Sequence, residues 1–135
     1  MKYISLDDPR SQVVIDLLNN VLGESNCNNI EDYLTNDILM TINGRELKGI
    51  DQVKKRIDWI SNNTYGVTVT LEKLIISGDY GFEGHITESK TKIDNKQNLV
   101  KFYSFFKFRG NKICHFEGVV ASLIEDNLKA ATSIE

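Results

Sequence analysis

The chain reads as an α+β fold, with helices gathered on one side of a sheet of long antiparallel strands. Two observations predict it. Apolar residues recur at helical spacing over residues 13–22 and 50–60, then alternate with period two from Thr64 onward. Residues 99–122 are two apolar-rich runs that meet at Gly110 and Asn111. That is a two-residue hairpin signal, because Gly accepts the positive φ a primed turn needs. The hairpin is expected at the centre of the sheet.

The elements follow in order. Asp8 and Pro9 open the first helix, Asp as N-cap and Pro at the first helical position. Val13, Val14, Leu17, Leu18, Val21 and Leu22 give it a broad apolar stripe, and Gly23 ends it. A polar loop over 24–29 leads to a short helix at 30–34. Residues 37–43 and 46–48 read as a hairpin turning at Gly44 and Arg45. Gly49 precedes a helix over 50–61, with Ile50, Val53, Ile57 and Ile60 inward and Lys54, Lys55, Arg56 and Asp58 mostly on a solvated face. Long strands are expected over 67–76 and 80–93 and in both arms of the final hairpin. Residues 125–135 read as a polar tail, with a helical turn at 128–131 or else loose. One domain is expected over 1–135, its core over about 5–124.

The hairpins set a register. With Gly110 and Asn111 as the loop, Arg109 faces Lys112, His115 faces Phe106, Glu117 faces Ser104 and Val119 faces Phe102. A two-residue loop at Gly78 and Asp79 sets Ile75 opposite Phe82, Leu71 opposite Ile86 and Val69 opposite Glu88. A three-residue loop at 95–97 sets Ile86 opposite Phe106 and Glu88 opposite Ser104. The apolar residues of all four strands then agree on one face. On it lies a polar cluster of Glu88, Ser104, His115 and Glu117, walled by Phe102, Phe106, Phe108 and Ile86. Leu18 and Trp59, on the two helices, complete the expected ligand wall. An apolar site raises carboxylate pKa values, which suits Glu117 or His115 as a general base with Ser104 orienting a ligand oxygen. The other reading is a structural Glu117–His115 pair, with Glu88 reaching water at the rim. His85 is expected outward, beside Glu72. The opposite face carries Tyr103, Phe105, Cys114, Phe116 and Val120, too apolar for a solvated sheet, so a homodimer is expected across it.

Composition narrows the function. A chain of 135 residues can bury roughly two thirds of its unfolded surface. The net charge is −3 with signs interspersed and no basic stripe, which speaks against nucleic acid. Cys27 and Cys114 have neither CxxC nor zinc spacing and read as reduced thiols of a cytoplasmic protein. No apolar run reaches the ~20 residues of a membrane span, and the N-terminal run lacks the apolar core of a signal peptide. His115 and Glu117 offer two metal ligands without a third, so no metal is expected. The scattered glycines form no phosphate loop, so no cofactor is expected. Ser104 lies mid-strand, without a nucleophile-elbow sequence.

Three segments, YLTNDILMTING (33–44), RELKGIDQVKKRIDWI (45–60) and FYSFFKFRGNKICHFEGVV (102–120), together resemble the nuclear transport factor 2-like superfamily, especially its SnoaL-like and ketosteroid-isomerase-like members. The resemblance implies a cone: a strongly curved, mixed or antiparallel sheet wrapped around the N-terminal helices, a cystatin-like roll. It also implies an apolar cavity holding a small apolar molecule. Ketosteroid isomerases place a general-base Asp where Thr41 and Ile42 stand, an oxyanion-hole Tyr near Leu18 and an oxyanion-hole Asp at Ser104. SnoaL-like cyclases use an Asp late in the last strand, and residues 115–122 contain none. Neither catalytic set is therefore carried over. The expectation is a cytoplasmic ligand-binding protein with cofactor-free proton-transfer chemistry of isomerase, cyclase or dehydratase type; the alternative is a non-catalytic binding or interaction module.

Overall fold

A computed structural model describes residues 3–4, 6–24 and 26–124. The expected tail at 125–135 lies outside the described residues. The regular helix starts two residues later than expected, with Arg10 rather than Asp8 at its N-cap, and Asp8 instead closes the turn before it: its Oδ1 accepts from the Arg10 N–H at 2.9 Å. The first turn is tight, Ser11 N–H donating to Asp8 O at 2.9 Å, and the regular helix α1 spans Ser11–Asp16. It widens into a π-helical stretch over Leu17–Gly23. A 3-10 turn at Ile30–Asp32 replaces the expected short helix. Strand β1 (Tyr3–Ile4) was not legible in the sequence. Then come β2 (Leu34–Ile42), β3 (Arg45–Lys48), α2 (Ile50–Asn63), β4 (Thr64–Ser77), β5 (Tyr80–Thr91), β6 (Gln97–Arg109) and β7 (Lys112–Ser122). The β2–β3 turn sits at Asn43 and Gly44, one residue earlier than expected, with Ile42 opposite Arg45.

The sheet order is β1-β4-β5-β6-β7-β2-β3. Strands β4 to β7 are antiparallel in sequence, while β1 runs parallel to β4 and β2 parallel to β7. The expected cone, the cystatin-like roll, does not form. The sheet is mixed but open, neither closed nor strongly curled. Its edges are the two-residue β1 and the four-residue β3, which do not pair with one another. Helix α2 packs on β2, β3 and β4, and the π-helical stretch on β4. The core joins Val14, Leu18 and Val21 from the first helix, Val53 and Ile57 from α2, and Leu74, Phe106, Phe108, Ile113 and Phe116 from the sheet.

The register departs from expectation at three places, and these decide the site. The turns hold: Arg109 is opposite Lys112 and Ile75 opposite Phe82. Beyond Phe108–Ile113, however, Lys107 pairs with His115, so Cys114 is an extra residue on β7. One extra residue turns every later side chain of the strand to the other face. Glu117 now faces Phe105 instead of Ser104, and Phe116 faces Phe106. On β4, Glu72 is extra in the same way, so Leu71 faces His85 instead of Ile86. The β5–β6 connection is longer than three residues, with Lys90 opposite Gln97 and Thr91 N–H donating to Lys96 O at 2.9 Å. Ser104 therefore faces Glu83 rather than Glu88, an offset of five, and an odd offset inverts β5 relative to β6.

Candidate functional site

A cavity of about 400 Å³ lies between the helices and the inner face of the sheet. Leu17, Leu18, Val21 and Leu22 of the π-helical stretch form one wall, and Val53, Ile57 and Ile60 of α2 another. A π turn spaces side chains more widely than an α turn, which opens room beneath it. The sheet contributes Leu34, Met40, Phe102, Phe116 and His85. Ile42 and Leu47 add to it, and Asn43 and Arg45 of the β2–β3 hairpin and Arg56 of α2 are polar members of the lining.

His85, which lines the cavity, is paired with Glu83, which lies behind it and does not. Glu83 and His85 are two residues apart on β5 and therefore share a face. Both are 1% exposed. His85 Nδ1 lies 2.7 Å from Glu83 Oε2 and 3.0 Å from Oε1. An ionised carboxylate only accepts, so facing one Nδ1 is the donor and Nε2 is the ring's second nitrogen. That Nε2 is buried and has no hydrogen-bond partner among the described residues. The ring stacks on Phe102 with centroids 4.6 Å apart and planes 10° apart. A carboxylate behind the imidazole of a cavity-lining residue is an arrangement suited to moving a proton.

The four residues expected as a cluster are not brought together. Ser104 is fully buried on the inner face, opposite Glu83, and its Oγ has no partner among the described residues. Glu117 is exposed on the outer face, opposite Phe105, because the extra residue Cys114 turned it over. His115 is half-buried opposite Lys107 by the same inversion. Glu88 is exposed beside Leu99. Of the expected ligand wall, Leu18 and Phe102 line the cavity. Phe106 and Phe108 are core residues packed edge to face, centroids 5.5 Å apart. Ile86 is half-buried opposite Lys101, on the outer face. Trp59 is 55% exposed and does not line the cavity; it carries the Arg56 guanidinium, 4.7 Å above its ring. His85, expected outward beside Glu72, is the buried residue that the inversion of β5 turned inward. The signal for it was present as the two-residue spacing of Glu83 and His85, the same spacing as His115 and Glu117.

Burial, reinforced by neighbouring Arg45, lowers the Arg56 pKa below the ordinary guanidinium value. No group of three or more His, Cys, Asp or Glu able to hold a metal occurs among the described residues. No helix among them is long and apolar enough to cross a membrane.

No protein-family model and no curated protein matches the chain. Solved structures do. A candidate polyketide cyclase from Acidithiobacillus ferrooxidans is 17% identical with a TM-score of 0.77, covering 95% of this chain and 99% of the other. A candidate SnoaL-like polyketide cyclase from Jannaschia sp. CCS1 is 13% identical with a TM-score of 0.77, covering 96% and 94%. A hypothetical protein with a ketosteroid isomerase-like fold from Catenulispora acidiphila, solved with trimethylamine, is 16% identical with a TM-score of 0.72, covering 92% and 94%. At such identities the likeness shows the fold. The chain has the nuclear transport factor 2-like, SnoaL-like fold.

Proposed function

We propose that this chain binds a small, largely apolar molecule in the cavity between the helices and the sheet, and that His85 moves a proton on it. Glu83 holds the ring and its tautomer, and stabilises the imidazolium that forms when Nε2 takes a proton. The reaction class is cofactor-free proton transfer beside a carbonyl, of the isomerase, cyclase or dehydratase type. The observation that carries this reading is the buried, unpartnered Nε2 of a cavity-lining histidine whose Nδ1 is held at 2.7 Å. A pair serving structure alone would have no reason to leave a buried ring nitrogen unsatisfied. The fold's cyclase-like and isomerase-like neighbours are consistent with the same class. The two free cysteines support a reducing, cytoplasmic setting. A homodimer through the outer face of the sheet accounts for exposed Phe105, Tyr103 and Val119.

The experiment is solvent-deuterium exchange at the α-carbons of a panel of small cyclic ketones, followed by proton NMR. Wild-type protein is expected to accelerate exchange on at least one ketone, and His85→Gln to abolish it with the fold retained. Exchange at the uncatalysed rate across the panel, or an unchanged rate in His85→Gln, would refute the proposal.

A further inference from the structure

We propose that Arg45 and Arg56 form an anion site on the cavity, so that the apolar ligand carries an anionic oxygen group at the end away from His85. This rests on the cavity reading above and names its ligand class. Arg45 opens β3 and Arg56 lies within α2, yet both line the same cavity. Two separate elements thus converge two guanidiniums on one space. Neither has a carboxylate partner among the described residues. Arg10 and Arg109 do, with Asp8 at 2.6 Å and Asp37 at 3.0 Å. Glu46, the sequence neighbour of Arg45, is directed to Lys48 at 3.7 Å.

Two like charges facing one cavity without a counter-ion repel, and the half-buried Arg56 has also lost hydration. The downward shift of its pKa reflects both effects. A bound anion relieves both at once. The site is also held in place. The Trp59 ring fixes the Arg56 guanidinium from one face, leaving its edge N–H groups to donate. Asn43 anchors the turn before Arg45: its Oδ1 accepts from Val120 N–H at 2.9 Å and its Nδ2 donates to Val120 O at 3.3 Å. The chain as a whole is negative, so the attraction is local to this end of the cavity.

The spacing sets the ligand's shape. In the sheet order, β3 lies four strands from β5, roughly 19 Å between backbones at about 4.8 Å per strand. Side chains from both ends shorten that gap, and the apolar walls fill it. The ligand inferred is an elongated apolar body with a carboxylate, sulfonate or phosphate at the arginine end and its reacting carbon near His85 Nε2.

Two dyes test this. 1-Anilinonaphthalene-8-sulfonate and N-phenyl-1-naphthylamine share their rings and differ by the sulfonate. Fluorescence titration is expected to show the sulfonate dye binding wild-type protein about tenfold tighter, an advantage that shrinks with added salt. Arg45→Gln and Arg56→Gln should each remove most of that advantage and leave the neutral dye unaffected, while Arg56→Lys keeps part of it. Equal binding of the two dyes to wild-type protein, or arginine variants that weaken both alike, overturns the anion site and leaves the cavity reading standing. Binding of neither dye overturns both. If Arg56→Gln fails to fold, Arg45→Gln, at the exposed start of β3, decides the question alone.

Discussion

His85 and Glu83 show how much one residue's facing decides. The sequence offers two carboxylate–imidazole pairs at the same strand spacing, Glu83 with His85 and His115 with Glu117. Only the first is turned inward. A buried pair of this kind is costly to break on one side, because the survivor is left without its partner. Glu83→Leu is therefore expected to destabilise the protein by about 3 kcal/mol in urea denaturation. Glu83→Leu with His85→Phe should recover most of that loss, since both polar groups then leave the interior together, while proton-transfer activity stays lost. Losses that simply add would argue against coupling. A second residue-scale effect concerns acid. The Arg10 side chain, followed by its backbone N–H, lowers the Asp8 pKa from 3.8 to about 2. A carboxylate depressed on folding contributes stability above its unfolded pKa and loses it as pH falls through the folded value. Asp8→Asn should thus lose less melting temperature than wild type between about pH 5 and pH 2. Parallel pH profiles would show that the ion pair does not contribute.

At the scale of elements, the sequence was legible where side chains mark the backbone. Gly110, at φ 64, made the central turn readable, and the Gly78–Asp79 turn was placed correctly. The inner face of β6 came out right as well: Phe102, Ser104, Phe106 and Phe108. What could not be read were the extra residues at Glu72 and Cys114 and the longer β5–β6 connection. A bulge needs no special residue, and Glu and Cys carry no signal for one, yet each reverses everything downstream. Of the expected polar cluster, Ser104 lies on the inner face, while Glu88, His115 and Glu117 lie on the outer one. Gly81 gives a check on the observed pairing. A Cβ there would sit 2.2 Å from Phe106 Cε2. Gly81→Ala should cost about 1–3 kcal/mol through overpacking, and Phe106→Leu in the same chain should reduce that cost. An Ala tolerated without loss would contradict the pairing of β5 with β6.

For the whole molecule, an open sheet leaves two faces with different tasks. The inner face holds the core and the cavity. The outer face carries stacked pairs, Tyr80 on Phe105 at 5.6 Å and Phe82 on Tyr103 at 5.9 Å. Beside them Phe105 is 50% and Val119 57% exposed. The inversion of β7 changes which residues such a dimer would use. Phe116 belongs to the core and Val120 pairs with Phe102, so Val119 takes their place beside Phe105 and Tyr103. Sedimentation at micromolar concentration is expected to give a dimer, and Phe105→Glu a folded monomer; a wild-type monomer would remove the interface. The most direct measurement of the central claim is nitrogen-15 NMR of the His85 ring with and without 1-anilinonaphthalene-8-sulfonate in the cavity. The expected result is a hydrogen on Nδ1, an unprotonated Nε2, and a change at Nε2 on binding that is larger than at Nδ1. A hydrogen on Nε2, or a ring indifferent to an occupied cavity, would contradict it.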